Sequence, residues 1–183
     1  FFAYFAVEHV PACCLARLSV IPRFLENAAM RDSDGNLAFI FYGPYDVTDG
    51  PLRIEQRGDY PYEDRTHMTV RTKKKTERAL RFRIPGWCRG AQLRINGKKQ
   101  DWAATPGTFA AVRRAWKDGD TIEIAFDTPL RIEWDNAPRS VPGAAVVRGP
   151  LVYALPVQER WEPFDLQRKK RIEAFKGLWN VVP

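Results

Sequence analysis

Cysteine and histidine are scarce in this chain: its 183 residues carry three cysteines and two histidines. An odd number of cysteines closes no complete disulfide framework, and two of them, Cys13 and Cys14, are neighbours, where a disulfide is strained by its own geometry. No Gly-rich phosphate loop is present, and neither histidine stands in a motif, so a Ser/His/Asp constellation has no support. "RINGKK" is not a glycosylation sequon, because Lys98 fills its third position. No apolar run approaches the ~20 residues that span a bilayer, and no membrane partner is expected. The opening "FFAYFAV" lacks a basic leader and a small-residue cleavage site, so no signal peptide is read. The compartment stays open, with the cytoplasm as the candidate. A start at Phe1 rather than Met, on an aromatic strand-like run, suggests a fragment or a truncated reading frame.

What the chain does have is apolar material. A content of 45% apolar and 13% aromatic residues is ample for a core, and the length suits one domain plus a piece of another. The formal charge of +7 raises nucleic-acid binding as a possibility. Its arginines, however, are scattered: Arg81, Arg83, Arg94 and Arg131 alternate with apolar neighbours as solvent-facing strand residues do. The runs "RTKKK" (71–75) and "QRKKR" (167–171) have no interleaved aromatics and read as solvated faces, so no nucleic-acid partner is expected.

Residues 12–30 carry a helical pattern. Leu15, Leu18, Ile21, Leu25 and Ala28 recur at three- and four-residue spacing, Pro22 should kink the helix, and "RDSDGN" (31–36) should stop it. Such a helix cannot bury its apolar face alone and must pack on the sandwich, a partner or a missing domain. From Leu37 the period becomes two. Strands are predicted at 37–42, 52–54, 68–72, 79–84, 92–95, 108–116, 121–126, 130–134 and within 144–155, with Asn96-Gly97 and "KDGD" (117–120) as hairpin turns. The fold class is therefore mainly β: an antiparallel β-sandwich preceded by a terminal helical segment. The expected division is a helical end over 1–32, a sandwich over 33–156, and a tail or the start of a further segment over 157–183.

The cysteine pair is the one arrangement with evident chemistry. Adjacent thiols serve as metal ligands, as redox or nucleophilic groups, or as small buried residues at a helix start. Pro11 suits a helix entry, and a helix N-terminus favours thiolate. A tetrahedral zinc needs more than two sulfurs; Glu8 and His9 are the nearby donors, with nothing to fix their geometry. Cys88 is expected to pack at the sandwich edge, and Asp118 and Asp120 to serve their turn. Trp87, Trp102, Trp116 and Trp134 are mostly core candidates, although exposed ones would suit a carbohydrate-binding module.

Several segments in order carry a resemblance. "ALRFRIPGWCRGAQLRINGKK", "GTFAAVRRAWKDGDTIEIAFDTPLRIEW", "GAAVVRGPLVYAL" and "ACCLARLSVIPRF" with "DGNLAFIFYGPYDV" resemble stretches of glycoside hydrolase family 127. The likeness covers about residues 10–156. It implies a β-L-arabinofuranosidase-type enzyme with an (α/α)6 barrel followed by β-sandwich domains, a zinc cofactor and an arabinose-containing carbohydrate substrate. It also implies that Cys13 is the nucleophile and a zinc ligand, and Cys14 a second zinc ligand. An upstream cysteine and a glutamate would complete the metal site, and a separate upstream glutamate would act as acid and then base. Glu8 is too near the pair to match either glutamate, and Leu15 and Ala16 follow the pair where the family often has a polar stretch. The chain is thus expected to pack on a missing α/α barrel and to be inactive alone. The alternative is a non-catalytic sandwich module that binds carbohydrate or braces a catalytic domain.

Overall fold

A two-residue alternation of apolar and polar side chains places one set on each face of a strand, and from Leu37 onward this chain folds accordingly. The computed structural model describes residues 20–135, 143–154, 160–163 and 179–182. Helix α1 (Val20–Glu26) leads into strands β1 (Ala29–Arg31), β2 (Leu37–Phe39), β3 (Asp46–Asp49), β4 (Leu52–Arg57) and β5 (Arg65–Thr72). Strands β6 (Thr76–Arg83), β7 (Ala91–Ile95), β8 (Lys98–Lys99), β9 (Phe109–Trp116) and β10 (Thr121–Phe126) follow. A small sheet comprises β11 (Leu130–Asp135), β12 (Gly143–Arg148) and β13 (Leu151–Tyr153). The chain divides into compact units between Val152 and Tyr153, and the second contains an antiparallel ribbon of β14 (Arg160–Pro163) and β15 (Trp179–Val182).

Two larger sheets make the sandwich, in the orders β1-β2-β6-β9 and β3-β4-β5-β10-β7-β8. Their inner faces share one apolar cluster. Phe39, Leu80, Phe82 and Trp116 come from the first sheet, and Ile54, Met68, Val70, Leu93, Ile122 and Ile124 from the second. Phe39 and Phe82 are register partners, and their rings stack with centroids 5.4 Å apart. That β2–β6 pairing is parallel, a departure from the all-antiparallel expectation. Its cause is topological: between β2 and β6 the chain builds three strands of the opposite sheet, so no hairpin dictates the direction of return.

The predicted helix through residue 30 ends early, at Glu26. Asn27 donates both its amide (3.2 Å) and its side chain (2.7 Å) to the Arg23 carbonyl. The buried Ala28 carbonyl then accepts the amides of Ile40 and Phe41, which commits residues 29–31 to pairing with β2. "RDSDGN" is therefore a hairpin turn rather than a helix stop. Asp32 closes it by accepting the amides of Asp34 (2.9 Å) and Asn36 (2.8 Å). Arg81 sits 2.7 Å from the same carboxylate.

Both predicted hairpin turns are present. Asn96 (φ 51°) and Gly97 (φ 75°) are both left-handed, as a two-residue primed turn requires. The Asn96 side chain also ties the two turns together, donating to Asp120 and accepting the Thr121 amide, each at 2.8 Å.

The outer face of the six-stranded sheet is laced with ion pairs. Asp46 accepts from Arg57 (2.5 Å) and Arg53 (2.7 Å), and these hydrogen bonds, with the two positive charges, pull its carboxyl down to about 2. A carboxyl depressed on folding stabilises the fold above its unfolded value of about 3.9, and that contribution fades as pH falls through the folded value. Asp46→Asn should therefore melt below the wild type at neutral pH, with the gap closing between pH 4 and pH 2. A gap constant with pH, followed by thermal scanning, would contradict the assignment.

Candidate functional site

The nucleophile and zinc-ligand candidates Cys13 and Cys14 lie outside the described residues, as do Glu8 and His9. The first described element after them is α1, which presents Val20, Phe24 and Leu25 to solvent. Of these, Phe24 meets the sandwich by stacking on Phe41, centroids 4.4 Å apart. Met30 on the adjoining strand is exposed as well.

The third cysteine is structural. Cys88 is buried, its thiol donates to the Pro85 carbonyl at 3.0 Å, and burial raises its pKa, which keeps it protonated. Asp118 and Asp120 do turn chemistry: Asp118 accepts the Thr72 amide (3.0 Å), and Asp120 accepts the Lys117 amide (2.9 Å). Among the tryptophans, Trp116 is fully buried, and Trp87 and Trp102 pack half-buried against the core. Trp134 departs from the core expectation: it stands 67% exposed beside Ile132 and Leu130 on one face of β11. Around Phe126, Tyr42, Tyr60 and Trp87 form an aromatic cluster at one end of the sandwich. Burial pushes the Tyr60 hydroxyl up to about 12, and Tyr42 well up as well, so both stay protonated at neutral pH, and the Tyr42 hydroxyl donates to the Arg83 carbonyl at 2.7 Å. Among the described residues no group of three His, Cys, Asp or Glu side chains is placed to hold a metal ion. No described helix is long and apolar enough to cross a membrane.

Among the described residues, two depressions lie along the outer face of the six-stranded sheet, and sequence reasoning did not single them out. One depression of about 520 Å³ is lined by Tyr62, Glu63, Asp64, Arg65, His67 and Arg148. A second, of about 500 Å³, is lined by Arg65, Gln92, Arg94, Gly97, Glu123 and Ala125. Arg65 is common to both. The strand register explains the second: Arg65, Ala125 and Gln92 form one cross-strand row, and His67, Glu123 and Arg94 the next. The short Ala125 side chain lies between longer neighbours and leaves a hollow.

Residues 40–128 match the family model described as "Beta-L-arabinofuranosidase, GH127 middle domain". A solved glycoside hydrolase superposes with a TM-score of 0.69 at 28% identity, over 83% of this chain and 27% of that one. A GH127 β-L-arabinofuranosidase from Geobacillus stearothermophilus T6 has a TM-score of 0.65 at 24% identity, over 93% of this chain and 34% of its own. A GH127 β-arabinofuranosidase gives 0.60 at 24% identity, over 77% and 26%. This chain thus spans about a quarter to a third of the length of these proteins. A search of curated protein sequences returns no match. Sequence motifs, sandwich fold and family match agree: residues 40–128 of this chain are similar to the GH127 β-L-arabinofuranosidase middle domain.

Proposed function

We propose that this chain is the sandwich-bearing portion of a retaining, zinc-dependent glycosidase that acts on β-L-arabinofuranosides, with Cys13 as nucleophile and with Cys13 and Cys14 as zinc ligands. The observation that supports this reading most directly is the match of residues 40–128 to the GH127 middle domain, with the adjacent cysteines just upstream of it. Thiolates are the soft donors zinc favours, and two of the four positions of a tetrahedral site would be theirs. In this reading the remaining ligands come from an α/α barrel on which the chain packs. Bound zinc would hold the sulfur as thiolate at neutral pH.

The Cys13 sulfur attacks the anomeric carbon, and the bond to the leaving oxygen breaks as a barrel carboxylic acid delivers its proton there. A covalent thioglycosyl intermediate results. The same carboxylate then takes a proton from water, whose oxygen displaces the sulfur and restores the thiolate, so two inversions give retention. With the acid and half of the metal site supplied by the barrel, the isolated chain has little or no activity.

A direct test compares the isolated chain with a chimera in which it replaces the matching segment of the 28%-identical glycoside hydrolase. Zinc content and hydrolysis of an aryl β-L-arabinofuranoside are measured for both. The chimera should bind zinc and turn over substrate, and the isolated chain should show turnover at the buffer background. Turnover by the isolated chain that Cys13→Ala abolishes would refute its inactivity. A folded, zinc-free chimera with full turnover would refute the metal-thiolate reading.

A further inference from the structure

The outer face of the six-stranded sheet carries an imbalance that the ion-pair network leaves unresolved. Arg53 and Arg57 share Asp46, and Arg71 pairs with Glu55. Arg94 and His67 share Glu123, at 3.8 and 3.6 Å. Asp64 is taken by Arg148. Arg65, at the junction of both depressions, has no carboxylate within ion-pair distance among the described residues, the carboxylates of Glu55, Asp64 and Glu123 pairing with other cations. An unpaired guanidinium beside a hollow is a ready bidentate seat for a carboxylate.

The surroundings suit a sugar ring. Arg65 and Gln92 flank Ala125 from the two neighbouring strands, about 10 Å apart at the usual strand spacing, which leaves room for one pyranose over the Ala125 methyl. Gln92 offers an amide donor and acceptor, and Glu123 an acceptor, for ring hydroxyls. On the other side of Arg65 stands Tyr62, an aromatic side chain 75% exposed to water. Its loop is firmly held. The amides of Tyr62 and Glu63 donate to the Asp59 carbonyl (2.7 and 3.1 Å), the Phe126 amide donates to the Asp64 carbonyl (2.7 Å), and Arg148 grips the Asp64 side chain. An exposed aromatic on a held backbone is a stacking platform whose loop needs little ordering on binding. Glu63 beside it offers an acceptor for the hydroxyls of a neutral ring.

We propose that this face binds an acidic oligosaccharide, with a uronic acid residue seated over Ala125, its carboxylate on Arg65 and a neighbouring ring stacked on Tyr62. The inference extends the carbohydrate reading above but does not depend on Cys13 or on a metal.

The test titrates trigalacturonate and its methyl ester into the 15N-labelled 183-residue chain, following amide shifts and binding heat. Saturable binding should move the amides of Arg65, Gln92 and Ala125, and esterification should weaken it at least tenfold, as should Arg65→Ala. Ala125→Phe, which fills the hollow, should abolish binding, and Arg53→Ala, on the same face outside both depressions, should leave it unchanged. Cys13→Ala should bind as the wild type does, which separates this result from the fate of the glycosidase reading. Equal affinity for the ester, survival of binding in Ala125→Phe, or absence of binding would overturn the proposal. So would acetate or a single-stranded oligonucleotide binding with the same dependence on Arg65, because the seat would then recognise a bare anion or a polyanion rather than a sugar.

Discussion

Cys13→Ala in the chimera is expected to lower kcat/KM for an aryl β-L-arabinofuranoside by at least about a thousandfold, about 4 kcal/mol of transition-state stabilisation. In the proposed mechanism, alanine removes the atom that would form the covalent intermediate. Cys14→Ala should behave differently. Under the proposed roles it would keep the attacking sulfur and remove one zinc ligand, so zinc content should fall and activity drop on the order of 10–100-fold. Its residual rate should rise with pH toward about 8.5, where an unassisted thiol ionises, because only the deprotonated sulfur attacks. Equal losses in the two variants, or a Cys14→Ala profile that is flat over this range, would remove the division of labour between the two sulfurs.

Trp116→Ala is expected to destabilise the 183-residue chain by about 3–5 kcal/mol, among the largest single-site effects available in this fold. The indole is fully buried in the core shared by both sheets. Its Nε1 donates to the Arg78 carbonyl across the β6–β9 pair at 3.0 Å, and the Arg114 guanidinium lies 5.2 Å from its ring. Alanine leaves a cavity, an unpaired carbonyl and a cation without its aromatic partner. In a chain of this size the melting temperature should fall on the order of 10 °C, and the urea midpoint should fall with it. Trp116→Phe retains most of the volume and loses the hydrogen bond, so its cost should be smaller, about 1–2 kcal/mol. A loss below 1 kcal/mol for Trp116→Ala would mean that this side chain is not the anchor its burial indicates.

Local signals were the ones that sequence reasoning read well. "TIEIAF" became a strand with Ile122, Ile124 and Phe126 inward, and Asn96-Gly97 became the left-handed turn its residues favour. Both depend on neighbours within a few positions, where side-chain period and backbone preference act directly. The helix end was misread for the opposite reason. Ala28 fits an apolar helical repeat, but its carbonyl finds partners at Ile40 and Phe41, and that longer-range pairing outweighs one more helical turn. Strand β3 went unread because its four residues, Asp46–Asp49, hold a single apolar side chain, Val47, and are recruited by pairing with β4.

By itself, the sequence determined the alternating strands, the turns between them and the ordered motifs that carry the family likeness. Those are properties of residue order, and they survive without any knowledge of packing. Tertiary structure alone decided that β2 runs parallel to β6, that Trp116 is buried while Trp134 faces water, and that Arg65, Glu123 and Gln92 share one face. The physical reason is strand register. It brings β5, β10 and β7 side by side from distant parts of the chain, and a one-residue slip would turn every one of those side chains to the other face.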